Sequence, residues 1–329
     1  MKQEPASRGS HEPSWRNPGR SRPGGSQTVV LVPYDDGVAA LAAVPGVRAV
    51  RYDPDGLLPP EAATAQVLVP PFLASTRVVD LVEQLPELRL VQLLTAGAEN
   101  WVGRLPANVA LSDCRGAHGG ATAEWIVAVL LAVYRELPGF VRSQDARRWD
   151  QHLTDELAGK RVLLVGAGDL AENTGRRLAP FEVTTTVVGR RARDGVHGIA
   201  DVHALLPDHD VAVLMVPLTD ETRGLVDARF LAAMPDGALL VNAARGPVVD
   251  TDALTRELRT GRLRAAVDVT DPEPLPADHP LWTAPGLLLT PHVGGSVPGG
   301  MRRAFGVVVE QIRAFVQGDA PPNLVEDGY

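Results

Sequence analysis

One cysteine, Cys114, stands in a chain of 329 residues, so no disulfide can close within one copy. A reducing compartment suits that, and a cytoplasmic location is expected; the lone thiol reads as a small buried hydrophobe. Aromatic residues are few, 5% of the chain, while Ala, Val and Leu dominate a 45% apolar fraction. Such a composition fits parallel strands buried on both faces, which run aliphatic rather than alternating. Positive charge falls short of negative, 32 Lys and Arg against 40 Asp and Glu. The resulting net charge of -8 argues against a nucleic-acid partner and leaves anion binding to a local pocket. No apolar run is long enough to span a bilayer, so no membrane partner is expected, and the N-terminus lacks the apolar core of a secretory signal. His152, His197, His203, His209 and His279 lack metal-type spacing; they read as surface residues, and no metal is expected.

What is present begins after a tail. Residues 1–27 are rich in Pro, Gly, Ser and Arg without a hydrophobic period, and disorder is expected there, with Arg16, Arg20 and Arg22 in solvent. From Thr28 short aliphatic strands alternate with helical stretches. Strands are predicted at 28–32, 47–52, 66–69, 88–94 and 109–113, with a helix at 75–85. A long apolar helix, 121–134, leads to a second series of strands at 161–165, 183–188, 211–216, 238–242, 265–269 and 287–290. A closing helix, 301–316, stops at Gly318. Alternation of this kind predicts an α/β fold, two doubly wound parallel sheets with helices on both faces and a ligand cleft between them.

The clearest chemical signal is Val162-Leu-Leu-Val-Gly-Ala-Gly-Asp-Leu-Ala171, a buried strand running into a glycine turn and a helix. Gly166 allows the tight turn, Gly168 lets the backbone approach a pyrophosphate, and Ala171 permits close helix–strand packing. Asp169 and Leu170 open the helix whose N-terminus would face the phosphates. The second strand ends at Gly189-Arg190-Arg191, with Arg193 close by, where an acidic residue would read the ribose diol of NAD. Arginines there suit a 2′-phosphate, so NADP(H) is favoured over NAD(H). Asp169 and Glu172 pull the other way, since carboxylates in the first turn repel a pyrophosphate.

Further along, Val216-Pro-Leu-Thr-Asp-Glu-Thr222, Val241-Asn-Ala-Ala-Arg-Gly246, Asp268-Val-Thr-Asp-Pro-Glu-Pro274 and Thr290-Pro-His-Val-Gly-Gly295 occur in order, with weaker echoes at Thr95-Ala-Gly97 and Ala123-Glu124. In these stretches the chain resembles the D-isomer-specific 2-hydroxyacid dehydrogenase family, from about Val29 to Val316. The resemblance implies a flavodoxin-like substrate domain, 28–119 with 296–329, and a Rossmann dinucleotide-binding domain, 120–295. It implies Arg245 as the substrate cation, His292 as acid–base group and Glu273 as its support. It places Val216, Pro217, Ala243, Ala244, Asp268, His292, Gly294 and Gly295 against the cofactor, with Asp268 on the nicotinamide amide. The backbone at Ala96 and Gly97, with Arg245, would hold the carboxylate of a small 2-oxo or 2-hydroxy acid. A homodimer through the region of the 121–134 helix is also implied.

Arg245 keeps its charge and can grip a carboxylate in a planar fork, and an imidazole titrates near neutrality, so the residue types suit hydride transfer coupled to protonation. His118, in a Gly-rich loop at the crossover, reads equally as hinge packing or substrate contact. The loop Pro70-Pro-Phe-Leu73 offers no cation for a substrate phosphate, which disfavours 3-phosphoglycerate, and Glu273 stands where formate dehydrogenases carry Gln. The polar run Glu172-Asn-Thr-Gly175 is expected to weaken its helix. Two other readings fit the same residues: a cofactor-sensing binding protein of the corepressor kind, and a phosphite dehydrogenase.

Overall fold

Aliphatic runs set the first sheet. In the computed structural model, which describes residues 27–72 and 76–325, five short strands pair in parallel: β1 (Thr28–Val32), β2 (Val47–Arg51), β3 (Ala65–Leu68), β4 (Leu90–Gln92) and β5 (Ala110–Ser112). Their order is β2-β1-β3-β4-β5, which reverses direction between β1 and β3. Helix α1 (Asp35–Leu41) follows β1. Over the segment expected as a helix at 75–85, a 3-10 helix runs Thr76–Gln84 instead. Val78, Val79 and Val82 give it a buried stripe, but β-branched side chains disfavour the α-helix. The expected tail lies outside the described residues except for Gln27, as do Leu73 and Ser75.

Helix α2 (Gly119–Tyr134) carries the chain to the second sheet, starting two residues earlier than its apolar pattern. A helix absent from the sequence reading, α3 (Leu137–Asp145), follows it. Seven parallel strands come next: β6 (Arg161–Val165), β7 (Thr184–Gly189), β8 (His197–Gly198), β9 (Val211–Leu214), β10 (Leu239–Asn242), β11 (Arg264–Val267) and β12 (Leu287–Leu289). They lie in the order β12-β11-β10-β9-β6-β7-β8, so the reversal falls between β6 and β9. Between them run α4 (Asp169–Leu178), α5 (Val202–Leu205), α6 (Ala228–Ala233) and α7 (Thr251–Thr260). The two doubly wound sheets expected from the alternation are therefore present.

The closing helix α8 (Pro298–Gln317) returns to the first sheet, burying Ala304, Phe305, Val308 and Ile312 against β1 and α1. Gly318 ends it at φ 92. Beyond it, Leu324 bridges Ser112 in antiparallel sense and Val325 N donates to Leu111 O at 2.9 Å, extending the sheet edge at β5. Cys114 is buried as expected, its thiol pushed up to about 12 by burial first and by Asp113 second. One histidine reading needs correction. His209 is 3% exposed, its Nδ1 on Leu205 O at 2.7 Å and its Nε2 on Thr186 Oγ1 at 2.9 Å. It sits in the turn entering β9, where β7 passes alongside and supplies the hydroxyl.

Candidate active site

The carboxyl ends of both sheets face one cleft of about 760 Å³. At its base Gly166 adopts φ 132, and a Cβ there would lie 2.7 Å from Met215 O. Only glycine fits. Gly168 has the opposite surroundings, with no atom within 4 Å of where its Cβ would be. The backbone there is open to the cleft just where α4 begins, as a pyrophosphate needs. Asp169 lines the cleft as well, with its carboxylate engaged: its Oδ1 accepts from Asn173 Nδ2 at 2.9 Å, and its Oδ2 abuts Gly119. Asn173 in turn accepts from Arg176 and Arg177, and the buried Thr174 donates to Leu170 O at 2.7 Å. The polar run expected to weaken α4 is thus bonded internally, and Ala171 and Leu178 still bury its inner face.

At the end of β7, Arg190 lines the cleft and Arg191 does not. Arg193 folds back over the glycine turn, donating from Nη2 to Ala167 O at 3.0 Å. A glycine turn, a helix N-terminus and these guanidinium groups together fit a nicotinamide dinucleotide. Val216, Pro217, Ala243 and Ala244, beyond the ends of β9 and β10, form the wall opposite.

Asp268 follows β11 and is 5% exposed. Its Oδ1 accepts from Thr290 Oγ1 at 2.6 Å and Val293 N at 2.9 Å, and its Oδ2 from Gly294 N at 2.8 Å. Trp125 of α2 donates to Thr290 Oγ1 at 3.0 Å, tying the same loop to the long helix. Asp268 thus clamps the 290–294 loop and also lines the cleft, as does Gly295, whereas Gly294 lies outside the lining. In that loop His292 takes φ 55, a left-handed conformation held by His292 N donating to Asp268 O at 2.7 Å. A non-glycine residue there costs about 1–3 kcal/mol, which the clamp must offset. The ring Nδ1 meets Glu273 Oε1 at 2.7 Å. His292 lines the cleft, and Glu273 stands behind it at 42% side-chain exposure.

Arg245, in the turn after β10, reaches the same space. Its Nη1 donates to Ala244 O at 2.7 Å and its Nε to Glu99 Oε1 at 2.5 Å. Any side chain on Gly97 would run into Arg245 Nη2. Ala96 and Gly97 line the cleft beside it. His118 caps the approach to α2: its Nε2 lies 2.8 Å from Leu94 O and its ring packs on Phe72 at 5.2 Å. Burial, more than the neighbouring Arg303, holds its imidazole below the usual value. It packs at the crossover and also lines the cleft.

Sequence reasoning missed Glu99, Arg115, Leu324 and Val325. Glu99 lies two residues past the Thr95-Ala-Gly97 motif, which was a usable signal. Arg115 lines the cleft together with Asp113, a cation that the reading of the 70–73 loop did not consider. Leu324 and Val325 reach the cleft only because the chain end folds back on β5.

A dinucleotide cradle at the reversal point of a seven-stranded sheet, with a carboxylate-paired imidazole and a guanidinium in the same cleft, is the layout of two-domain nicotinamide-dependent oxidoreductases. The family described as D-isomer specific 2-hydroxyacid dehydrogenase, NAD binding domain, matches residues 127–294. Glyoxylate/hydroxypyruvate reductase B of Escherichia fergusonii is 30% identical over 271 residues, 77% of this chain and 83% of that protein. Glyoxylate reductase of Thermofilum pendens is 35% identical over 218 residues, 62% of this chain and 64% of that protein. A D-isomer specific 2-hydroxyacid dehydrogenase from Xanthobacter autotrophicus Py2, solved with NADPH and MES, superposes with a TM-score of 0.78 at 31% identity, covering 91% of this chain and 99% of that one. The chain belongs to the D-isomer-specific 2-hydroxyacid dehydrogenase family. It is accordingly an NAD(P)-dependent oxidoreductase of the 2-hydroxyacid type.

Proposed function

We propose that the protein reduces a small 2-oxo acid of the glyoxylate or hydroxypyruvate kind with NADPH. The observation that carries this is the His292–Glu273 contact at 2.7 Å, set in one cleft with Arg245 and the glycine turn. The bound nicotinamide supplies a hydride to the substrate's carbonyl carbon. Arg245 holds the carboxylate and polarises the carbonyl, with the backbone at Ala96 and Gly97 as the second anchor. As its oxygen gains charge, His292 delivers the proton that makes the hydroxyl. Glu273, accepting from Nδ1–H, fixes the ring and leaves Nε2 to serve the substrate. Asp268 acts on this step by holding the His292 loop. Names of similar proteins support the substrate class: glyoxylate reductase and glyoxylate/hydroxypyruvate reductase B.

The cofactor preference rests on Arg190 and Arg193 beside the glycine turn, since guanidinium groups donate to a 2′-phosphate and cannot accept from a ribose diol. One or two charge-assisted bonds would give NADPH roughly a tenfold to thousandfold advantage over NADH. The test compares kcat/KM for glyoxylate and hydroxypyruvate with both cofactors, in wild type and Arg190→Asp. Turnover with NADPH and a collapsed preference in the variant are expected. No turnover of either acid, or a wild type that prefers NADH, would refute the respective half.

A homodimer is proposed as well. Leu137 and Val141 share a face of α3, and with Trp149 and Leu153 they expose apolar surface just past α2, at 50%, 57%, 92% and 97%. Light scattering should give twice the chain mass, and Val141→Asp with Trp149→Ala should give monomers.

A further inference from the structure

Arg245 is the cation on which the proposed reaction turns, yet it comes from the second sheet, whereas Ala96 and Gly97 come from the first. What aligns the two across the cleft is Glu99. It sits in the loop after β4 and is 146 positions from Arg245, whose Nε donates to its Oε1 at 2.5 Å. Both side chains are largely enclosed, 22% exposed for Glu99 and 27% for Arg245. Its other oxygen, Oε2, is buried with no hydrogen-bond partner among the described residues, an arrangement that costs free energy and needs a reason. Glu99 is absent from the cleft lining, so it does not face the substrate directly.

We infer that Glu99 is a positioning residue that aims Arg245 from the opposite half of the molecule; the inference rests on the reductase reading above. Three restraints act on one guanidinium. Glu99 takes the Nε edge, Ala244 O takes Nη1, and Nη2 packs against Gly97, where a side chain would collide with it. A carboxylate anchored on the Ala96–Gly97 backbone would lie beside that guanidinium. A flexible arginine freed of Glu99 would have to be ordered by each substrate molecule, and binding would weaken accordingly.

The experiment uses the full chain with Glu99→Ala, Glu99→Gln and Arg245→Ala, alone and combined. With glyoxylate and NADPH, Glu99→Ala should raise the glyoxylate KM by roughly tenfold to hundredfold, the worth of losing one charge-assisted bond, and leave the NADPH KM alone. Glu99→Gln, which keeps the shape and one acceptor oxygen, should recover part of the loss and guards against a folding defect in the alanine variant. In the Arg245→Ala background, removing Glu99 should change nothing further. A second readout needs no turnover: phenylglyoxal modification at Arg245, followed by peptide mass spectrometry, should be severalfold faster in Glu99→Ala than in wild type. An unchanged or lowered glyoxylate KM, additive effects in the double variant, or equal modification rates would overturn the assignment. A wild type that reduces no 2-oxo acid would refute the reductase reading alone, and the modification rates would still decide whether Glu99 holds Arg245.

Discussion

On the cofactor wall of the cleft the residues arrive in short consecutive runs: Gly166 to Leu170, Val188 to Arg190, Val216 with Pro217, Ala243 with Ala244. The substrate wall is gathered from distant parts of the chain: Phe72, the loop at Ala96 and Gly97, Arg115, and Leu324 with Val325 from the far end. The first wall is a backbone device, in which a strand, a turn and a helix N-terminus do the binding and side chains need mainly to stay out of the way. The second is a side-chain device, dependent on tertiary contacts that bring four segments to one place. One wall is suited to a constant ligand, the other to variation in what is bound.

The comparison can be tested hardest at the point where both walls meet. His292→Ala should lower turnover by about two to four orders of magnitude, the usual worth of a positioned acid–base group, with NADPH binding intact. Steady-state rates set beside a fluorescence titration of the cofactor would show it, and a near-wild-type rate would remove His292 from the chemistry.

The backbone character of the cofactor wall is sharpened by two glycines. Gly166→Ala forces a side chain at φ 132 into Met215 O and should destabilise the fold by about 1–3 kcal/mol, read as a lower thermal midpoint. Gly168→Ala meets no protein atom, so the midpoint should hold while NADPH weakens by roughly tenfold or more. Equal behaviour of the two variants would mean that Gly168 does not face the dinucleotide.

The smallest effect concerns His118, whose imidazole burial keeps below its ordinary 6.5. A folded value below the unfolded one means stability is fully present above the unfolded value and is lost as pH falls through the folded value. The thermal midpoint should therefore decline on acidification from about pH 7 to pH 5, and less steeply in His118→Gln. Identical slopes would assign the acid sensitivity elsewhere.

Much of this was readable before any coordinates. Strand after strand follows its aliphatic run, because a parallel strand buried on both faces has little choice of residue. The glycine turn was legible because its requirements are local, and the resemblance to a known family led to Arg245, Glu273 and His292. What escaped depends on long-range packing. Glu99 stands two residues past a motif that draws attention to it, yet nothing there announces that it will meet an arginine on another sheet. Nothing near Leu324 announces that the chain end returns to β5. Asp268 was found through the resemblance, but not the three residues of a later loop, Thr290, Val293 and Gly294, that decide where its oxygens point. The 76–84 segment went wrong for a subtler reason: its apolar spacing is helical while its valines are poor helix formers.

The chain leaves the first sheet at His118–Gly119 and comes back at Gly295–Pro298, and these two crossings touch. A Cβ on Gly295 would lie 3.5 Å from that of His118, and one on Gly300 would lie 3.4 Å from Gly295 O. The seven-stranded half is thus spliced into the five-stranded half through a single doorway, entered and left side by side. Removing it would leave two ends already near enough for a short linker to join. Seen as gene architecture, the seven-stranded part is an insertion in a five-stranded framework whose two flanks meet at one place.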